Sequence, residues 1–156
     1  NYARSSAASI GAGYAKQGFS DGNVRQRLLI SGNYLVYSAP DKDIFLQPSV
    51  YGSTNTEDTV DYFSPKRDLA FNVVAQGERV LWRRYERSFG DRLVVGAGSY
   101  WQENYGSGLI AEVTYQQFFV IEPLFEVNYG VGWSRRIYDG DPENAWQATL
   151  NAVVRF

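Results

Sequence analysis

The sequence predicts an all-β chain: a transmembrane antiparallel up-and-down β-barrel, or part of one, with eight candidate strands. The strands fall near residues 4–17, 24–38, 44–54, 68–82, 92–103, 109–121, 124–136 and 145–156. Three observations predict this fold. Apolar and polar residues alternate with period two in eight segments, while helical periodicity is almost absent. The segments are separated by connectors rich in Gly, Asp, Asn and Pro, where Gly permits positive φ and Asp and Asn bond their own backbone. The apolar faces carry aromatic bulk at the strand ends and smaller residues midway.

Along the chain, the first segment sets Gly11 and Gly13 on its polar face. In the second, Leu28, Ile30, Tyr34 and Val36 oppose Arg25, Arg27, Ser31 and Asn33. The third, 44–54, is bounded by "SAPDKD" and "NTEDTVDYFSPKRD". The fourth sets Leu69, Phe71, Val73 and Ala75 against Asn72, Gln76 and Glu78. The fifth carries Gly96, Gly98 and Tyr100 on one side. In the sixth, Ala111, Val113, Tyr115 and Phe119 oppose Glu112, Thr114 and Gln116. The seventh is the clearest: Phe125, Val127, Tyr129, Val131 and Trp133 against Glu126, Asn128, Gly130, Gly132 and Ser134. The eighth runs Trp146, Ala148, Leu150, Ala152, Val154 and Phe156 along one face, with Gln147, Thr149, Asn151 and Arg155 between them.

A soluble barrel with its apolar face inward uses the same alternation. Three features favour lipid instead. Phe125 and Trp133 bracket the seventh strand and Trp146 and Phe156 the eighth, which is the arrangement of aromatic girdles at two interfaces. The paired glycines sit on the polar faces, where the inside of a tilted barrel is crowded. The strands match the roughly 9–11 residues that cross a bilayer at a tilt. A mean hydropathy of −0.35 is compatible with this, because alternating strands average out as polar.

If Phe156 lies on the periplasmic side, the loops near 18–23, 55–67, 104–108 and 137–144 face outward. The turns near 39–43, 83–91 and 122–123 then face the periplasm, and the outward set is the longer, as in outer-membrane barrels.

Composition narrows the chemistry. The 156 residues suit one domain, and a net charge of −2 marks no nucleic-acid partner. With no Cys, Met or His, disulfides, Ser-His or Asp-His catalysis and the usual zinc, haem and copper sites are unavailable. No cofactor, metal site or catalytic residue is expected. No initiator Met or signal-like segment opens the chain, so it reads as a mature or truncated piece of a longer product.

From Tyr62 onward, "YFSPKRD" (62–68), "RRYERSFGDRLVVGAGSYWQENYG" (83–106) and "RRIYDGDPE" (135–143) resemble the C-terminal barrel of the PgaA-type porins. Those porins export poly-β-1,6-N-acetylglucosamine. The resemblance covers residues 62–156 and implies a Gram-negative outer-membrane location. It also implies a periplasmic helical-repeat domain followed by a barrel of about sixteen strands. Eight strands alone enclose a lumen that side chains fill, so this chain is expected to be a small closed barrel or the C-terminal half of a larger one. In the second case its partners are upstream strands or a second chain. The last strand, with Trp146, Leu150, Val154 and the terminal Phe156, is similar to the signal that outer-membrane proteins present to the barrel assembly machinery.

The candidate path for a polysaccharide is the inward face. Glu78, Glu112 and Glu126 supply negative charge, Asn72, Gln116, Asn128 and Gln147 hydrogen bonds, and Tyr100 a ring for stacking. Arg25, Arg27 and Arg155 face the same side, so a polar lumen held by ion pairs explains these residues as well. Glu112 and Glu126 on neighbouring strands are a formal acid–base pair, with a lumen salt bridge the favoured role. Asp139, Asp141 and Glu143 echo the start of a calcium loop but lack its Gly and distal Glu. The expected function is guidance of a linear polysaccharide through a polar lumen. The alternatives are a small structural or adhesive outer-membrane barrel whose loops bind partners, and a soluble barrel for a small apolar ligand.

Overall fold

Eight alternating segments become eight strands: β1 (Ala8–Gly18), β2 (Val24–Ala39), β3 (Lys42–Asn55), β4 (Arg67–Arg84), β5 (Arg87–Gln102), β6 (Gly106–Ile121), β7 (Phe125–Tyr138) and β8 (Asp141–Val154). Short connectors force sequence neighbours to pair antiparallel, and one sheet forms in the order β1 to β8. The computed structural model describes residues 7–57, 62–122 and 124–155. Residues 4–6 of the expected first strand, Pro123 and Phe156 lie outside them. Among the described residues β1 and β8 are the two edges and do not pair with each other. The sheet is therefore an open wall and not a closed eight-stranded barrel.

Several strands are longer than the alternation suggests. β5 begins at Arg87 instead of near residue 92, and β8 at Asp141 instead of near 145. The expected turns at 83–91 and 137–144 shrink to Tyr85–Glu86 and Asp139–Gly140. The reason lies in the turn geometry. Asp139 and Gly140 both have positive φ, 50° and 85°, which is the type I′ hairpin turn whose twist matches its strands. Pairing then runs right up to the turn, through polar residues where alternation has faded. The longer connectors, 19–23 and 56–66, share one end of the sheet with 103–105 and 139–140. The connectors 40–41, 85–86 and 122–124 share the other end, so the long-loop side is where the sequence places it.

Register fixes which face each residue takes, because directly opposed residues project the same way. Leu28 pairs with Gly52, Gly52 with Leu69, and Leu69 with Trp101. That row belongs to the apolar face, as do Phe71, Val73, Ala75, Val95, Val113 and Val131 on their strands. Trp133 and Trp146 stand directly opposed on β7 and β8. At the short-turn end Trp82 opposes Phe89, and Phe89 opposes Phe119. The apolar band thus lies between two aromatic levels, which suits lipid. Just inside the lower level the outward Arg79 and Asp91 form an ion pair at 2.7 Å. Two register shifts, Leu35/Tyr37 and Val80/Trp82, also lie toward this end, where bulges commonly trim a barrel rim. The first corrects one expectation: Val36 falls within the shift, and Tyr37 takes the position opposite Ile44.

Candidate functional site

The inward face is built from small residues beside large polar ones. Gly96 and Gly98 on β5 and Gly130 and Gly132 on β7 leave gaps that neighbouring side chains fill. A Cβ on Gly96 would meet Glu112 Oε1 at 2.9 Å, and one on Gly132 would meet Gln147 Nε2 at 2.9 Å. A Cβ on Gly130 would meet Gln116 Cγ at 2.7 Å. Glu112, Gln116 and Gln147 therefore lie flat across adjacent strands. Asn72 Nδ2 reaches over β5 to within 3.5 Å of Glu112 Oε1. The structure thus brings together four of the expected path residues, Asn72, Glu112, Gln116 and Gln147, as a polar belt across β4 to β8.

Gly98 has no room for any side chain, since a Cβ there would collide with the Phe71 carbonyl oxygen and come within 2.9 Å of Asn72 Cα. Gly98→Ala is expected to destabilise the barrel by about 1–3 kcal/mol. The midpoint of urea unfolding from lipid vesicles measures it.

A second group sits nearer the short turns. Arg92 donates to Glu78 Oε2 from Nη2 at 2.7 Å and from Nε at 3.0 Å. Asn128 Nδ2 donates to Glu126 Oε1 at 2.9 Å. With Phe118 and Arg155 these residues line a recess of about 370 Å³. Arg92 is the partner sequence reasoning missed, although its spacing from Gly96 and Gly98 places it on the same face. Glu112 and Glu126 are not brought together. Glu112 opposes Ser134, whereas Glu126 opposes Val120. Eight residues of β6 separate 112 from 120, about 26 Å at 3.3 Å per residue. Carboxylate pairs for glycoside chemistry stand about 5–9.5 Å apart, so these two are no acid–base pair.

Tyr100 faces inward at the long-loop end, but its ring is covered. It is 9 % exposed, packed with Ile110, Ile137 and Phe63. Its hydroxyl donates to Asp68 Oδ2 at 3.0 Å, and Asp68 Oδ1 accepts from Ser53 Oγ. Tyr100 is a footing for the 62–66 segment and offers no open stacking face. The hydrogen-bonded chain continues through Arg25, whose Nη2 donates to Tyr51 Oη at 3.1 Å and Ser53 Oγ at 3.4 Å.

The β3–β4 connector is pinned across this end by Asn23, which is wholly buried. Asn23 Nδ2 donates to Ser64 Oγ at 2.9 Å and Tyr62 Oη at 3.1 Å. Its Oδ1 accepts from the amides of Thr56 and Glu57. Partial loss of water and the Asp21 carboxylate push the Tyr62 hydroxyl above its ordinary pKa, and it donates to Asp21 Oδ2 at 2.9 Å. Asn23→Ala strands several of these groups and is expected to cost about 2–3 kcal/mol. Faster proteolysis within the 56–66 connector, at unchanged strand content, is the readout.

Of the expected assembly residues, Trp146, Leu150 and Val154 line the outward face of β8, opposite Trp133, Tyr129 and Phe125. Phe156 lies outside the described residues. Asp139 forms a hairpin turn, and Asp141 and Glu143 open β8, so the acidic stretch is a strand junction.

The chain is similar to the poly-β-1,6-N-acetyl-D-glucosamine export proteins of Escherichia coli strains K12 and O157:H7. It is 28 % identical to each over 146 residues, which is 94 % of this chain and 18 % of the relative. It thus spans under a fifth of the length of these curated relatives. Among solved structures, a bacterial polysaccharide outer membrane secretin superposes with a TM-score of 0.92 at 27 % identity. The match covers 97 % of this chain and 52 % of that one. The family described as the PgaA membrane β-barrel domain matches residues 1–156. The sheet order, the lipid-facing band and the polar inner face are those of such a barrel wall, and the chain belongs to the PgaA membrane β-barrel domain family.

Proposed function

We propose that the chain is one side of an outer-membrane porin that guides export of a linear polysaccharide of the poly-N-acetylglucosamine type. The observation that carries this is the two-faced wall: an apolar outer band, and an inner face floored by glycine and lined with amides and carboxylates. The names of the relatives supply the polymer class. The path is assigned to Asn72, Glu112, Gln116 and Gln147 in the belt, and to Glu78, Glu126 and Asn128 nearer the periplasm. Tyr100 acts there by holding the 62–66 segment in place.

Such a surface suits a sliding polymer. Each sugar hydroxyl exchanges a bond to water for one to an amide or carboxylate at nearly equal free energy. Many weak, similar sites let a chain enter and leave, as conduction requires. No catalysis is involved, and polymer synthesis on the inner side drives the movement. The edges at β1 and β8 need partners, because unpaired backbone groups are costly in lipid. Upstream strands or another chain provide them and widen the lumen to the aqueous size of about sixteen strands. The last strand, ending in Phe156, is proposed as the feature the barrel assembly machinery recognises.

The test uses cells lacking their own exporter and supplied with the full-length protein that contains this barrel. Secreted polymer should be restored, and Asn72→Trp with Gln116→Trp should reduce it sharply by narrowing the path at unchanged barrel level. A correctly assembled protein that restores no secretion would overturn export in favour of a structural or adhesive barrel.

A further inference from the structure

At the short-turn end the outward face carries two cations that lie away from the polymer path. Arg84 and Arg87 stand directly opposed on β4 and β5, and like charges in that position destabilise a strand pair. Both side chains are exposed. The ion pairs among the described residues join Arg79 to Asp91 and Arg92 to Glu78 instead. The Arg84–Arg87 row lies two residues beyond the aromatic row of Trp82, Phe89 and Phe119, about 7 Å along a strand at 3.4 Å per residue. Aromatic belts sit at headgroup level. The two guanidiniums therefore stand where lipid phosphates lie.

Their surroundings suit a polar head with apolar chains attached. Both arginines line a recess of about 520 Å³ together with Trp82, Tyr85, Glu86, Ile121 and Leu124. The walls come from two hairpins that are joined at the backbone. The Glu122 amide donates to the Glu86 carbonyl at 2.8 Å, and the Leu124 amide to the Ile121 carbonyl at 2.8 Å. Tyr85 has a φ of 53°, in the left-handed region that a bulky side chain seldom adopts. That turn holds its ring 91 % exposed, with the Arg84 guanidinium 5.8 Å from the ring centroid. Strained backbone of this kind clusters at ligand clamps.

We propose that this recess docks the phosphate of an anionic phospholipid in the leaflet that the short turns face. Guanidiniums bind phosphate oxygens through paired, charge-assisted hydrogen bonds, and a phosphate between Arg84 and Arg87 offsets their mutual repulsion. The acyl chains then follow Leu124, Ile121 and Trp82 into the apolar band, which a free phosphate would leave uncovered. Two arginines against the one carboxylate of Glu86 leave the recess a single net positive charge. A phosphatidylglycerol head neutralises that charge, whereas a choline head brings its own cation against the arginines. The site rests on the lipid-facing band, and what passes through the lumen has no part in it.

The full-length protein in detergent micelles, titrated with phosphatidylglycerol and separately with phosphatidylcholine and followed by native mass spectrometry, tests it. Phosphatidylglycerol should bind about tenfold more tightly. Arg84→Gln with Arg87→Gln should abolish the difference. Arg83→Gln, which opposes Ser88 on the inward face of the same hairpin, should preserve it. Tyr85→Gly relaxes the turn and removes the ring, so it should raise the thermal unfolding midpoint while weakening phosphatidylglycerol binding about threefold. An unchanged heat-dependent shift in electrophoretic mobility verifies that each barrel is folded. Equal affinity of the unmutated protein for the two lipids, or a preference that survives the double substitution, would overturn the site. Displacement of the lipid by excess glycerol phosphate would reassign the arginines to a soluble anion. A dimer lost in the double variant, without lipid preference, would reassign the face to a second copy. Polymer secretion without lipid preference would sink the recess and leave export standing, and lipid preference without secretion would do the reverse.

Discussion

Val95→Arg is expected to cost about 2–4 kcal/mol of folding into a bilayer, the largest loss from any single surface change on the central strands. Val95 projects from the outward face of β5 between Ala75 and Val113. It lies midway along β5 between Trp101 and Phe89 of the two aromatic levels, so its side chain meets lipid at the centre of the apolar band. An arginine there has no carboxylate opposite and is too deep to reach either interface easily. Gln76→Arg places the same charge on the next row, on the polar face, where water and the amide belt receive it. That substitution should cost far less. Urea titration of the full-length protein in lipid vesicles compares the two. Equal penalties, or the reverse order, would mean that the faces are inverted and that the apolar side packs a soluble core.

What the sequence made legible is whatever strict alternation encodes. β7 shows this best. Phe125, Val127, Tyr129, Val131 and Trp133 take one face in the structure and Glu126, Asn128, Gly130 and Gly132 the other, because a slip of one residue would exchange lipid for lumen. The ends of strands were less legible. At Arg87 and Asp141 the backbone keeps pairing where hydropathy no longer reports it, since tight turns need hydrogen-bonded strands whatever their side chains. Contacts far apart in the chain were not legible at all. Asn23 looks like an ordinary turn residue beside Gly22, and only the fold reveals Ser64 and Tyr62 around it. Phe63 gives no periodic signal, yet it packs against the cluster in which Tyr100, Ile110 and Ile137 are buried. Glu112 and Glu126 share neighbouring strands, but register, which alternation leaves free by any even number, sets them far apart.

Register also decides how charge on the inner face should act on ions. Converting Glu78, Glu112 and Glu126 together to Gln is expected to shift the selectivity of the complete barrel toward anions. Glutamine keeps the shape of each side chain, so the belt and its glycine contacts survive while three negative charges are lost. The effect should be uneven. Glu78 neutralises Arg92 at 2.7 Å, so its conversion uncovers a cation already in the lumen. Among the described residues Glu112 has the Asn72 amide as its hydrogen-bond partner and no ion-pair partner, so its conversion removes a charge and uncovers none. Arg25, Arg27, Arg92 and Arg155 remain on this face. Reversal potentials of the full-length protein in planar bilayers under a KCl gradient measure the shift. They should be read near 0.01 M salt, where charges are felt over about 30 Å, and again at 1 M, where about 3 Å of screening suppresses them. The potential should move toward the chloride value at low salt and much less at high salt. The 156-residue chain alone should show no large steady conductance, because eight strands do not enclose an aqueous channel. If the triple substitution leaves selectivity unchanged at low salt, these carboxylates are outside the ion path and serve only to hold Arg92, Asn72 and Asn128 in place.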